Sequence, residues 1–131
     1  MLESLQIRNY VLIDSLDIRF PEGLIIISGQ TGAGKSILLG ALSLLLGSKA
    51  DASVIGGEAD SCVVEAVFRI PESDLVLKEI LDDNDVEAGD GELIIRRVVN
   101  RSGRSRSFIN DSPVNIQILQ SISSRLVDIH S

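Results

Sequence analysis

The segment from residue 29 to residue 36 constrains the fold of this chain more than any other feature of the sequence. It matches the pattern G-x-x-x-x-G-K-[ST] at every position, as Gly29, Gln30, Thr31, Gly32, Ala33, Gly34, Lys35 and Ser36. An apolar run at 24–27 precedes it, and a segment rich in helix formers, 37–46, follows it. A strand, a glycine-rich loop and a helix in this order point backbone N–H groups and a helix N-terminus at one anion. The spacing and both flanks therefore predict a phosphate-binding P-loop.

Each residue type in the motif has a physical role in holding a nucleoside triphosphate. The three glycines allow backbone angles and a close approach that a Cβ would block. Lys35 is expected to place its ammonium on the β- and γ-phosphates, and Ser36 to offer its hydroxyl to a Mg²⁺ ion. The alternative is a glycine-rich turn that binds nothing. The predicted nucleotide-binding residues are Gly29, Gln30, Thr31, Gly32, Ala33, Gly34, Lys35, Ser36 and Ile37.

Length and charge indicate one acidic domain, residues 1–131. A chain of 131 residues with 44% hydrophobic residues can bury a moderate core. The net charge of −7 argues against a generally basic surface for nucleic acid. The charge is uneven, however, because segment 72–92 holds nine acids and one lysine, whereas segment 96–106 holds five arginines and no acid. The net value therefore hides a basic segment.

Other sequence features narrow the setting of the chain. A single cysteine, Cys62, rules out an internal disulfide, and with only one histidine a zinc site is not expected. The amino terminus alternates apolar and polar residues and does not resemble a signal peptide. No run approaches the ~20 apolar residues of a membrane span. We therefore expect a cytoplasmic chain without a membrane partner.

The pattern of apolar residues predicts alternating strands and helices around the P-loop. The predicted strands are 2–7, 12–20 (after a connection at 8–10), 24–27, 62–70, 93–99, 105–109 and 125–129. The predicted helices are 37–46 ending at Gly47, a short one capped by Ser73 or Asp74 and running to Leu81, and 114–122. Segments 49–60 and 110–113 are predicted to be loop and turn. This order favours an α/β P-loop fold with a mixed sheet and an antiparallel β portion.

The predicted active site is incomplete in this chain. A hydrolysing site generally needs an acidic residue at the end of a second apolar strand, where it holds the Mg²⁺-bound water. The one candidate is Leu126-Val127-Asp128, followed only by Ile129-His130-Ser131. We therefore expect this chain to be part of an active site, with no catalytic residue of its own.

Several segments, spread along nearly the whole chain, share one resemblance. They are 1–14 (MLESLQIRNYVLID), 20–24, 29–38, 46–51, 64–68, 96–97, 103–110 (GRSRSFIN) and 126–131. With these residues the chain resembles the amino-terminal head segment of the RecN family, bacterial DNA-repair ATPases related to SMC proteins and the wider ABC ATPases. The opening segment and the GRSR hairpin are more specific than the P-loop, which many families share.

The resemblance implies that the active site is divided between two lobes. In such proteins the amino-terminal lobe carries the Walker A motif and precedes a long coiled coil. The carboxy-terminal lobe brings the Walker B carboxylates and the signature motif. The chain alone is then expected to bind ATP but to hydrolyse it poorly. Gln30 stands where the family often has Glu, and this change should not disturb phosphate binding because the donors are mainly backbone groups.

The same resemblance implies the cofactors and partners. ATP and Mg²⁺ are expected between two heads, each nucleotide held by the P-loop of one head and the signature motif of the other. ATP binding would close the heads, which links nucleotide state to DNA and double-strand-break repair. The implied partners are the carboxy-terminal lobe, a second head and DNA. By this resemblance the protein is cytoplasmic and nucleoid-associated.

Residues outside the motif are weaker candidates. Asn9 and Tyr10 lie where related heads approach the nucleotide, so a role of Asn9 near the adenine or ribose is implied. The alternative is a turn with Tyr10 packed on the core. His130 is implied near the γ-phosphate, although a lone histidine is more often structural. Cys62 is expected to be a small strand residue without reactivity.

The basic segment suggests a DNA contact. Arginine forks suit phosphate geometry, so Arg104 and Arg106 are candidate DNA-contact residues. The alternative is a solvated hairpin whose arginines pair with the acidic segment 72–92 or with another head. Two other functions stay open for the whole chain: a small-molecule P-loop kinase, and a noncatalytic nucleotide-binding interaction module.

Overall fold

A six-stranded sheet forms the larger part of the structure, a computed structural model that describes residues 1–21, 32–87 and 89–126. The strands are β1 (Leu2–Tyr10), β2 (Ile13–Arg19), β3 (Ser61–Arg69), β4 (Glu92–Asn100), β5 (Ser105–Ile109) and β6 (Ser112–Val114). The helices are α1 (Gly32–Leu45), α2 (Leu75–Asp83) and α3 (Ile116–Leu126), with a 3₁₀ turn at Ala52–Val54. The strand order is β2-β1-β3-β4-β5-β6, and each of these neighbouring pairs is antiparallel.

The predicted α/β class with an antiparallel portion is confirmed, and strand β3 shows why. Cys62, Val64, Ala66 and Phe68 of β3 are buried, and the residues between them are partly exposed. A period of two therefore separates a core face from a wet face. Helix α1 packs on the core face, to which it contributes Ala41, Leu42, Leu44 and Leu45. The predicted strand at 24–27 lies outside the described residues.

Two of the predicted elements are confirmed together with the residues that begin or end them. Helix α1 ends at Leu45, and Gly47 follows it with a φ of +100°. Helix α2 begins after Asp74, whose carboxylate accepts a hydrogen bond from the Leu77 amide at 3.1 Å. Such caps satisfy orphan groups at a helix end with residues close in sequence. The β4–β5 hairpin also lies where it was predicted.

Three segments that were predicted as connections, loops or turns are partly regular structure. The connection predicted at 8–10 is part of β1, because Arg8 and Tyr10 pair with β2 and leave a two-residue turn. Part of the predicted loop 49–60 is a 3₁₀ turn, begun by Asp51, which accepts from the Ser53 amide. Part of the predicted turn 110–113 is strand β6, which pairs with β5.

The strand predicted at 125–129 is wrong for its first two residues, which belong to α3. Leu119, Ile122 and Leu126 are buried at helical spacing, so one face of α3 reaches the core. Arg125 reaches Asp74 of the α2 cap at 2.9 Å. Residues 127–131, including Asp128 and His130, lie outside the described residues.

Candidate nucleotide-binding site and the anchoring of its helix

The second half of the predicted P-loop forms the start of α1. The backbone from Gly32 to Lys35 is helical. Ser36 is exposed, and Ile37 packs partly against the core. Gly29, Gln30 and Thr31 lie outside the described residues, as do the side chains of 32–35. The predicted helix is therefore present and begins at Gly32, five residues earlier than predicted, whereas the loop before it lies outside the described residues.

The start of α1 fits an anion. Its first turn contains no acidic residue, so no negative charge opposes the partial positive charge at the helix N-terminus. The 14 residues of α1 give it an aligned dipole, and Ser36 presents an exposed hydroxyl-bearing side chain one turn into the helix. These features of the described helix suit a bound anion such as a phosphate group.

The β1–β2 turn supports α1 from the side. Tyr10 is buried, and a Cβ at Gly40 of α1 would lie 2.3 Å from its hydroxyl oxygen. Burial raises the pKa of Tyr10, and the nearby Cys62 adds to the effect. Tyr10 therefore packs on the core, as the structural alternative in the sequence analysis expected.

Asn9 is engaged in holding this turn in place. Its φ is +56°, its carbonyl accepts from the Gly56 amide at 2.8 Å, and its side chain donates to the Ser61 carbonyl at 3.3 Å. Val11 also has a positive φ, +52°, which is unusual for a β-branched residue, and its amide donates to the Val54 carbonyl at 2.8 Å. These bonds to segment 54–61 hold a strained turn beside the helix.

The carboxyl end of α1 has local and distant partners. The Gly47 amide donates to the Leu44 carbonyl at 3.3 Å, and the Ser48 amide to the Ser43 carbonyl at 3.0 Å. This pair of bonds is a Schellman motif, and it requires the positive φ of Gly47. Gln120 of α3 donates to the Gly47 carbonyl at 2.8 Å.

Arg97 of β4 is the second distant partner. One guanidinium nitrogen donates to the carbonyls of Leu44 (2.8 Å) and Ser48, and the other donates to the Ser105 hydroxyl at 3.2 Å. Arg97 is 2% exposed, and burial lowers its pKa. Within the described residues it has no carboxylate partner, and its Nε has no hydrogen-bond acceptor.

Arg97 was not among the predicted site residues, although the sequence contains a signal for its position. Leu93, Ile95 and Val99 alternate along the same strand, and Arg97 lies in phase with them. A period of two therefore already placed Arg97 on the core face. Gln120 gave no comparable signal, because it is an exposed residue on an amphipathic helix and its partner is 73 residues away.

Of the other four arginines of the basic segment, two bond to described residues through their side chains and two do not. Arg96 lies 3.5 Å from Asp111 and 3.9 Å from Glu65, with its guanidinium 4.6 Å from the centre of the Phe108 ring. Arg101 donates to the carbonyls of Ala59 (2.8 Å) and Gly57. Arg104 and Arg106 are exposed, and their side chains make no ion pair or hydrogen bond with a described residue.

The acidic segment 72–92 does not neutralise the basic segment. Within the part of the chain that the structure describes, its ion pairs are with Arg69, through Glu92, and with Arg125, through Asp74. Its other acidic residues include several that line a cleft of about 530 Å³, together with Lys78 and Ile70. The pairing of hairpin arginines with this segment, considered in the sequence analysis, is therefore wrong for the described residues.

Cys62 lies in the core of the sheet. It is fully buried, and burial raises the pKa of its thiol to about 11. The thiolate is the nucleophilic form of cysteine, so Cys62 is a poor nucleophile at neutral pH. Among the described residues, no cluster of three His, Cys, Asp or Glu could hold a metal ion. The described helices also include none that is long and apolar enough to span a membrane.

Comparison with known proteins agrees with the class of fold that the structure defines, an α/β lobe of the P-loop type. The chain belongs to the AAA domain family, whose model matches residues 4–130. Its relatives include the DNA repair protein RecN of Vibrio cholerae, 38% identical over 130 residues, and that of Synechocystis sp., 42% identical over 133 residues. The chain spans about a quarter of the length of these relatives, since the alignments cover 99% and 98% of this chain but 23% and 22% of theirs. The chain aligns with the amino-terminal part of these relatives.

Solved structures agree on the fold. The SMC head domain from Thermotoga maritima has a TM-score of 0.61 and 25% identity, over 96% of this chain and 42% of that one. A structure described under ATP-driven dimerization and DNA-stimulated activation of SMC ATPases has a TM-score of 0.69 and 21% identity, over 94% and 77%. The recombination mediator RecF bound to ATP has a TM-score of 0.61 and 21% identity, over 87% and 27%.

Proposed function

We propose that this chain is the amino-terminal lobe of an SMC-like ATPase head that acts in DNA double-strand-break repair. The observation that carries the proposal is the P-loop motif, whose second half begins α1 with no acidic residue in the first turn. Similarity to RecN proteins over 98–99% of the chain supports the same role. The cellular setting would be the cytoplasm, at the nucleoid.

Nucleotide binding would use residues 29–37 of this chain. Backbone N–H groups of the loop and the start of α1 would hold the phosphates, with Lys35 on the β- and γ-phosphates. Ser36 would contribute its hydroxyl to Mg²⁺. Asn9 is proposed near the adenine or ribose, although its side chain also donates to Ser61.

The remaining catalytic groups would come from a carboxy-terminal lobe and a second head. ATP bound at the P-loop would draw two heads together, because a γ-phosphate can bridge two surfaces that otherwise have little affinity. A small-molecule kinase would instead need an acceptor pocket and its own Mg²⁺ carboxylate.

The divided site predicts that ATP turnover depends on both lobes. We expect the chain alone to bind ATP with little hydrolysis, and turnover to rise when a carboxy-terminal RecN lobe is added in trans. The reason is that the groups that activate water belong to the other lobe. Phosphate release would be measured for each lobe and for the mixture. Rapid turnover by the chain alone would reject the divided site, and a mixture containing Lys35→Ala is the control.

Contact with DNA is proposed at the tip of the β4–β5 hairpin. Arg104→Ala combined with Arg106→Ala is expected to weaken DNA binding in a protein that contains both lobes. Each phosphate contact that is lost reduces the number of counterions released on binding. The magnitude of the negative slope of log K against log salt should therefore fall by about 2. Affinity would be measured by fluorescence anisotropy across a salt series.

The matched control removes two arginines from the far end of the sheet. Arg69 lies beside Glu92, the first residue of β4, and Arg19 is opposite Ser4 in the β1–β2 register. Both arginines are therefore at the end of the strands that is far from the hairpin tip. The strands separate the two ends by about 25 Å. Arg19→Ala with Arg69→Ala has the same change in net charge. An equal loss of DNA binding in both double variants would point to general charge and not to a hairpin contact.

A further inference from the structure

We infer that Arg97 is a positioning residue for the nucleotide site, because it holds the carboxyl end of α1 against the sheet. The helix that it holds begins with Lys35 and Ser36 in its first turns. The inference rests on the proposed function, since it concerns how that helix meets the phosphates. Arg97 itself does not touch nucleotide in this arrangement; it acts through α1.

The geometry of the anchor supports this role. Arg97 lies on β4 between Val64 of β3 and Ser107 of β5, near the middle of the sheet. From there its guanidinium bonds two carbonyls at the end of α1, Leu44 and Ser48, on either side of Gly47. The Schellman motif uses local amides to close the helix, whereas Arg97 ties the closed end to a strand.

The charge of Arg97 is also matched to the place that it occupies. A buried cation without a carboxylate is unfavourable unless other acceptors replace water. Here the acceptors are carbonyls at the negative end of the helix dipole, and the Ser105 hydroxyl. An apolar side chain would fill this position in the core face without desolvating a charge. The presence of an arginine at this position is therefore best explained by its bonds to the carbonyls at the end of α1.

Because α1 is long, a small tilt at its anchored end displaces its first turn, where the phosphate site is proposed. The 14 residues of α1 span about 20 Å, so a tilt of roughly 3° at one end moves the other by about 1 Å. Displacements of this size at a reacting or binding group can weaken its interactions strongly. Loss of the Arg97 bonds should therefore change nucleotide affinity more than a core defect of equal effect on stability.

The test compares Arg97→Met, Arg97→Lys and Val99→Ala in the full chain. Val99 is buried on the same strand and face, but it cannot donate to a carbonyl, so it controls for loss of core stability. Affinity for a fluorescent ATP analogue with Mg²⁺ would be measured where each variant is folded by circular dichroism. Hydrogen exchange of the amides of residues 46–48 would report the carboxyl end of α1.

We expect Arg97→Met to bind nucleotide about tenfold more weakly than Val99→Ala, with faster exchange at residues 46–48. Arg97→Lys should recover part of the affinity, because an ammonium can still donate to these carbonyls. If Arg97→Met does not fold, Arg97→Lys must still bind more weakly than Val99→Ala. Equal affinity in the Arg97 and Val99 variants would overturn the inference.

The same titration separates this inference from the proposed function. Binding by the unchanged chain that is lost in Lys35→Ala supports the P-loop, whatever Arg97 does. An unchanged chain that binds no nucleotide, or a Lys35→Ala variant that binds normally, would reject the proposed function and the positioning role with it. Nucleotide binding that needs Lys35 but not Arg97 would reject the positioning role alone.

Discussion

Replacement of Lys35 by alanine is expected to abolish measurable ATP binding, with a loss of at least about a hundredfold in affinity. The reason is electrostatic. The backbone amides of a P-loop are fixed dipoles, and the lysine ammonium is the one full positive charge that the motif offers to the β- and γ-phosphates. Without it, the phosphate charge would be only partly compensated in a chain whose net charge is −7.

Titration with a fluorescent ATP analogue in the presence of Mg²⁺ would measure this loss. Lys78→Ala is the charge-matched control, because Lys78 lies on α2 and donates to the Glu72 carbonyl at 3.0 Å. The control should bind nucleotide as the unchanged chain does. Retained affinity in Lys35→Ala would show that the motif is a turn without a phosphate ligand, and it would remove the basis of the proposed function.

Replacement of Gly40 by alanine is expected to destabilise the fold by about 1–3 kcal/mol. A Cβ there would lie 2.3 Å from the hydroxyl oxygen of Tyr10, which is too close for any side chain. Tyr10 is buried, so its ring cannot simply turn into solvent. The sign of this effect is informative, because in an exposed helix interior the same change stabilises by about 0.5–1 kcal/mol.

A double-mutant cycle with Tyr10→Phe tests the contact directly. Without the hydroxyl, the nearest ring atom of residue 10 would be 3.5 Å from the new Cβ, which is an ordinary contact. Gly40→Ala should therefore be neutral or stabilising in the Tyr10→Phe background. The free energy of unfolding would be measured in urea for the four proteins. Additive effects would show that Tyr10 does not pack against α1 as described.

Local chemistry explains which parts of the fold were predictable. The end of α1 was predicted because Gly47 closes the helix with bonds to residues three to five positions earlier. The start of α2 was predicted because Asp74 caps an amide three residues ahead. Strand β3 was predicted because its alternation leaves one face apolar. In each case the signal itself lies within a few consecutive residues.

The boundaries of helices and strands were predicted less well where the spacing of apolar residues fits both the helix period and the strand period. Three of the five residues at 125–129 are apolar, and this short pattern suits a strand as well as the end of an amphipathic helix. Burial of Leu126 in phase with Leu119 and Ile122 decides for the helix as far as the described residues extend. The connection of β1 and β2 was likewise decided by pairing with a neighbouring strand, which extends β1 to Tyr10.

Of the candidate site, the sequence by itself determined the chemistry. The order and spacing of residues 29–36 predict a phosphate-binding loop, because glycines, a lysine and a serine are needed there at those positions. Tertiary structure alone decided what holds the loop's helix in place. Arg97, Gln120 and Tyr10 reach α1 from β4, α3 and β1. Partners separated by 30 to 73 residues are brought together by burial of a shared core, which no local pattern encodes.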